Sequence, residues 1–174
     1  KFDFMLVKQY PEFITATAHD WLPVLSCDVD KQIILDSLRF LVNAQRVKVT
    51  AFVLMDTHFH LIWQVLGAHK REDVQRDFLR FTSQQILKRL RNEKPEVLPK
   101  LLVNTKDRKY QVWQRNSLSI ELRSTKVFLQ KLEYIHDNPV KAGLCTLPED
   151  YRYSSAGFYE LNINDWDFLT HYED

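Results

Sequence analysis

Residues 46–66 read RVKVTAFVLMDTHFHLIWQVL. Val47, Lys48 and Val49 alternate between apolar and polar, and from Ala51 to Met55 the run is wholly apolar. Alternation marks a strand with one wet face, and an unbroken apolar run marks a strand covered on at least one face. Asp56-Thr57 then predicts a tight turn, and FHLIWQVL predicts a second strand. Two apolar strands joined this closely constrain the chain more than any other feature. They become neighbours in an antiparallel sheet, and the rest of the chain has to roof that sheet.

The flanking sequence supplies the roof. EFITATAHDW, residues 12–21, is rich in β-branched and aromatic residues and predicts a strand. In CDVDKQIILDSLRFLVNAQ, Asp28 or Asp30 caps a helix, and Ile33, Ile34, Leu38, Leu41 and Val42 recur at helical spacing. A long helix is expected from about Arg71 to Asn92, with Val74, Phe78, Phe81, Ile86, Leu87 and Leu90 as its apolar stripe. Pro95 and Pro99 break that pattern. KYQVWQRN, residues 109–116, reads as a short strand or extended loop. RSTKVFLQKLEYIHDN, residues 123–138, reads as a helix that stops before Pro139, because the residue ahead of a proline is pushed out of the helical region. The order β-α-β-β-α-β-α predicts an α+β fold, a ferredoxin-like antiparallel sheet with helices packed on one face.

At 174 residues and 45% apolar content the chain suits one domain, residues 1–174, with a real core. No apolar run approaches the ~18 residues of a membrane span, and no signal peptide opens the chain. Cys27 and Cys145 stand far apart with no CxxC pair, which excludes a zinc knuckle and suits two reduced thiols. A cytoplasmic protein with no membrane partner is expected.

The chemistry-bearing feature is MDTHFHLIW, residues 55–63. Side chains alternate along a strand, so His58 and His60 face the same way, with Cα atoms roughly 6.5–7 Å apart. Two imidazoles at that spacing can converge on one ion, while Phe59, Leu61 and Trp63 point to the other side. The triplet alone also fits two hydrogen-bonded histidines on a half-exposed strand, and two nitrogens leave a metal site incomplete. FLQKLEYIHDNPVKAGL, residues 128–144, holds the second feature. With Tyr134 at 0° on a helical wheel, Phe128, Leu132 and Leu129 fall at about 120°, 160° and 220°, the core stripe. Asn138 falls at about 40°, one turn above Tyr134. His136, at about 200°, belongs to the core side. A phenol and a carboxamide thus share a face turned from the stripe. A surface tyrosine and a helix-terminal asparagine are the plain alternatives, unless this helix lies against the histidine strand.

Net charge is +1, but it is unevenly spread. From His69 to Lys126 there are fifteen Lys and Arg against seven Asp and Glu, an excess of eight. Such a segment is a phosphate-binding face or simply a solvated helix surface.

Taken together, MDTHFHLIW, FLRFTSQQI, VWQRN, YIHDNPVKAGL and DYRYSSAGFY resemble the HUH single-tyrosine transposases, most nearly the REP-associated tyrosine transposase branch. The matching pieces run from about residue 12 to 160. The resemblance implies an HUH strand in a ferredoxin-like sheet and cleavage and rejoining of single-stranded DNA beside hairpins. It places His58 and His60 as the two HUH ligands, Tyr134 as the nucleophile and Asn138 as the third metal ligand. The family usually reads Met-Pro-Asn-His where this chain has Met55-Asp56-Thr57-His58, a departure in the turn ahead of the ligands.

A divalent ion, Mg²⁺ or Mn²⁺, would suit the mixed nitrogen and oxygen ligands. The DNA contacts expected are Arg71, Arg76 and Arg80 on the long helix with Lys88, Arg89 and Arg91 beside them, Trp113 and Arg115 in VWQRN, and Lys131 and Lys141 flanking the tyrosine face. The partners implied are single-stranded or hairpin DNA and, in some family members, a second copy of the chain, since the site is completed either across a homodimer or within a monomer. Rival readings are a non-catalytic nucleic-acid-binding module on the same fold, a metal nuclease using water, and a rolling-circle initiator. The first has no use for His58, His60 and Tyr134 together, the second would favour a carboxylate cluster, and the third usually belongs to a larger polypeptide.

Overall fold

The apolar hairpin forms as its pattern predicts. Its strands are Val47–Leu54 (β2) and His58–Val65 (β3), preceded in the chain by Glu12–Thr17 (β1). The computed structural model describes residues 9–174. The turn between β2 and β3 is closed by the Met55 amide, which donates to the His58 carbonyl across 2.9 Å. Helix Asp28–Asn43 (α1) joins β1 to β2, and Arg71–Glu93 (α2) follows β3. A small hairpin, Leu102–Thr105 (β4) and Arg108–Tyr110 (β5), leads to Leu118–Glu121 (β6) and then to helix Thr125–Lys141 (α3). A short helix, Ala156–Glu160 (α4), lies in the tail. The main sheet is antiparallel in the order β2-β3-β1-β6, with β4 and β5 pairing separately. That is the expected α+β, ferredoxin-like arrangement.

The sheet has two unlike faces. On the first, α1 and α2 pack side by side over Ile14, Ala16, Phe52, Leu54, Phe59, Leu61 and Trp63. On the second, α3 lays Phe128, Leu132 and Ile135 against Phe13, Ala51, Val53 and Ile62. The expectation of helices on one face holds for α1 and α2 but is corrected for α3, which takes the opposite face, where its apolar stripe is buried against Phe13, Ala51, Val53 and Ile62. The pattern of β2 follows from this. A register shift between Val49 and Ala51 re-phases the strand, so that Val47 and Val49, then Phe52 and Leu54, all face α1 and α2. Beyond the shift Ala51 and Val53 are roofed by α3, so both sides of the strand are apolar. The tail guards the free edge of β2: Ser154 bridges to Val53 and Leu169 to Val49.

Three local expectations are corrected. The fourth sheet strand is β6, residues 118–121, whereas 109–116 supplies only the end of β5 and a loop. Helix α3 does not stop before Pro139 but carries it to Lys141. Pro139 sits in the last turn and is itself buried; it forgoes the helical bond to the Ile135 carbonyl, and its own carbonyl accepts from the Leu144 amide at 2.9 Å. Gly143, at φ 72°, then takes the left-handed position that ends the helix. Leu129, expected in the core stripe, is 41% exposed. The stripe is centred instead on Phe128, Leu132, Ile135, His136 and Pro139. Among the described residues no helix is long and apolar enough to cross a membrane.

Candidate active site

Strand alternation puts His58 and His60 on the α3 face of β3, with ring centroids 5.0 Å apart. Across the ladder, His60 is opposite Thr15 and His58 opposite Thr17. Thr15 Oγ1 lies 2.8 Å from His60 Nδ1, and Thr57 Oγ1 lies 3.0 Å from His58 Nδ1. Each hydroxyl engages one ring nitrogen and orients the ring, which leaves Nε2 to point elsewhere. Phe13 stacks on His60 at 5.4 Å.

Helix α3 brings Tyr134 over this pair. Its ring centroid is 5.2 Å from that of His60 and 5.9 Å from that of Phe13. Tyr134 sits at the border of the buried stripe and is 40% exposed. Asn138, one turn on, hydrogen-bonds to the His58 side chain. Lys131 and Lys141 bracket the phenol, with Nζ atoms 5.5 and 5.7 Å from its ring centroid. The residues gather around a cleft of about 350 Å³ lined by Phe13, Thr15, Thr17, Trp21, His58, His60, Leu118, Lys131 and Tyr134.

The electrostatics keep both imidazoles neutral. Burial pushes the His58 side chain below its usual value, and the Asn138 hydrogen bond opposes that shift. Burial pushes His60 down to about 3, helped by the nearby His58 and the Lys131 ammonium. A neutral imidazole with its Nδ1 engaged offers a lone pair at Nε2, which is the form that binds metal. Among the described residues no three His, Cys, Asp or Glu cluster as a metal site. A third ligand would therefore be a neutral oxygen, and the Asn138 carboxamide at the His58 ring fits that need. Two nitrogens and an amide oxygen suit a divalent ion of borderline to hard character.

Tyr151 and Tyr153 have other tasks. Tyr151 Oη donates to the Leu54 carbonyl at 2.8 Å, and burial drives its phenol up to about 12. The Tyr153 ring is engaged by Lys31, whose Nζ is 5.2 Å from its centroid. His136 is structural, as expected, with Nε2 2.9 Å from Ser155 Oγ.

The proposed DNA contacts divide sharply. Lys131 lines the cleft, and Lys141 lies beside Tyr134 while paired with Asp137 at 3.5 Å. Helix α2 lies on the other side of the sheet, so Arg71, Arg76 and Arg80 are not at the histidines. Arg71 is bound to Glu121 and Glu12, and Arg76 to Asp73 and Asp77. Arg80 is exposed on that far face. Arg89 is 9% exposed and locked to Asp30 and Glu93. Arg115 pairs with Asp107 at 3.0 Å. Trp113 is corrected outright. It is 6% exposed, donates from Nε1 to Thr82 Oγ1 at 3.1 Å and meets Phe59 edge-on, so no ring face is left for a base. Four arginines of the basic segment, Arg71, Arg76, Arg89 and Arg115, are thus answered by carboxylates.

Sequence reasoning missed Thr15, Thr17, Phe13 and Trp21. The first three carry a signal: Phe13, Thr15 and Thr17 alternate with buried Ile14 and Ala16, so they share the face that the histidines use. Trp21 carries none, because its place depends on a left-handed turn at Asp20 and Trp21, φ 50° and 56°.

The α+β, ferredoxin-like fold that holds this constellation is also that of solved transposase structures. No family model matches the chain, and no curated protein matches it. Among solved structures, one of a REP-associated tyrosine transposase bound to a REP hairpin superposes with a TM-score of 0.63 at 17% identity, over 84% of this chain and 76% of that one. A candidate transposase from Deinococcus radiodurans superposes with a TM-score of 0.50 at 15% identity, over 79% of this chain and 96% of that one.

Proposed function

We propose that this chain cleaves and rejoins single-stranded DNA beside hairpins, through a 5′-phosphotyrosine bond to Tyr134. The observation that carries the reading is the meeting of Tyr134 with two neutral histidines, His60 buried and His58 half-buried, in one cleft. The fold shared with a transposase that binds a REP hairpin supports the class of substrate.

His58, His60 and Asn138 would hold a divalent ion, Mg²⁺ or Mn²⁺, which when bound supplies a Lewis acid beside the phosphate. The chain's own groups do the rest. Lys131 and Lys141 draw the phosphodiester to the tyrosine and balance its charge. Phe13 and His60 hold the Tyr134 ring by edge contacts, which fixes the phenol for attack. The Tyr134 oxygen forms a bond to phosphorus as the bond from phosphorus to the 3′ oxygen breaks. The phenol proton passes to water, and the departing oxygen takes up a proton to become a free 3′-OH. The 5′ side of the strand stays on Tyr134. Attack by another 3′-OH runs the exchange backwards and joins strands, with one ester replacing another and no nucleotide consumed. Tyrosine and histidines meet within one chain, so a single copy suffices for cleavage.

The test is incubation with hairpin-bearing single-stranded DNA and Mg²⁺ or Mn²⁺, followed by a denaturing gel. The expected result is a shortened strand with a free 3′ end and a protein-linked remainder, both lost with chelator. Cleavage that leaves a 5′ end free of protein would overturn the reading.

A further inference from the structure

Trp21 is the one aromatic residue lining the cleft that the chemistry above does not use. Trp63 is buried outright and Trp113 nearly so, whereas Trp21 is 59% exposed. Burial therefore does not explain its position. Its backbone is left-handed, a region that a bulky side chain rarely enters. The turn is clamped from both sides. The Ala18 amide donates to Thr57 O at 2.8 Å and the His19 amide to Val112 O at 2.7 Å. Further on, the Leu25 amide donates to Asp56 O at 2.9 Å, and Leu25 is fully buried. The surroundings thus hold a strained turn whose visible result is an indole displayed at the cleft. Its ring meets His58 at 73°, centroids 5.6 Å apart. From there the ring contacts run on through His60 to Tyr134, where Lys131 and Lys141 stand.

We infer that Trp21 is a stacking platform for an unpaired nucleobase next to the phosphate held at Tyr134, an inference that rests on the DNA-cleavage reading. The cationic end of the cleft takes the sugar-phosphate backbone, and the indole end takes a base. Every base has a flat π-face, so the platform selects for an unpaired nucleotide and only weakly among the four bases. A base inside a duplex has both faces covered and cannot stack there. The cleft thereby demands that the strand be single at the cleavage point, whatever hairpin lies beside it.

The experiment uses Tyr134→Phe as host, so that binding is read without cleavage. A fluorescein-labelled hairpin oligonucleotide with a single-stranded flank is titrated, and an abasic site is moved through the flank one position at a time. One position should weaken binding roughly 5- to 150-fold, the range of a single base–aromatic stack. Adding Trp21→Ala should weaken the intact oligonucleotide by a similar factor, and the abasic site should then cost nothing more. Trp21→Phe should restore most of the affinity, which separates stacking from a folding defect. Unchanged affinity in Trp21→Ala, abasic penalties that persist at full size in that variant, or no binding of the oligonucleotide by the host would each overturn the platform. The cleavage reading is tested separately, by adduct formation in the protein with Tyr134 intact, so the two can fail apart.

Discussion

The two faces of the sheet differ in kind. Under α1 and α2 the core is continuous and dry, running from Ile14 and Phe52 to Trp63 and Phe78. Its buried Asp30 is answered by Arg89, and its buried Lys31 by Asp56. Under α3 the apolar cluster is smaller and stops short of the sheet's end. Where it stops, Thr15, His58, His60 and Tyr134 line an open cleft. A groove between α1 and α2, about 520 Å³, is larger but is lined by Phe40, Phe81 and Leu41, and its carboxylates Asp36 and Asp77 are bound to Arg39 and Arg76. Volume does not locate the chemistry here; oriented polar groups do. The comparison teaches that one face supplies the stability that lets the other keep histidines, an exposed phenol and a strained turn.

If so, the largest loss of stability should come from the dry face. Arg89→Ala leaves Asp30 buried without its partner and should cost about 3–5 kcal/mol. Urea titration followed by circular dichroism measures it, and a cost near that of an exposed ion pair would break the comparison. On the cleft face, Thr15→Val keeps the shape of the strand and removes the hydroxyl at His60 Nδ1. It should leave folding nearly unchanged and weaken Mn²⁺ binding about 10- to 100-fold by calorimetry, as for loss of a group that orients a ligand. Equal affinity would show that the hydroxyl does not set the ring. The smallest effect separates cations by face. Lys131→Ala should weaken single-stranded DNA binding and reduce the slope of log K against log salt by roughly 0.7. Arg76→Ala, on the far face and paired with Asp73 and Asp77, should change neither. An equal response from both would move the DNA path to α2.

The legible parts of this protein were those governed by short periods. The period of two in β3 aligns His58 with His60, and the period of 3.6 in α3 aligns Tyr134 with Asn138. The hairpin at 46–66 was equally plain, because apolar strands of that length have few other uses. What the sequence did not disclose depends on which face each helix chooses. Fifteen cations between His69 and Lys126 suggested a DNA path, yet α2 packs away from the histidines and Arg71, Arg76 and Arg89 are held by carboxylates distant or local. Trp113 sits beside Arg115 in sequence but turns inward to Thr82. Strand β6 was hidden because LSIE is short, lies at an edge and leaves Leu118 exposed. Trp21 was hidden because nothing in Ala18-His19-Asp20-Trp21 forecasts a left-handed turn.

The central claim is that Tyr134 is the nucleophile, and covalent mapping tests it most directly. The protein is incubated with hairpin-bearing single-stranded DNA and Mn²⁺, denatured, digested and examined by mass spectrometry. The account predicts a nucleotide adduct on the peptide that holds Tyr134, absent in Tyr134→Phe while folding and DNA binding persist. An adduct on Tyr151 or Tyr153, or one that survives in Tyr134→Phe, would contradict it.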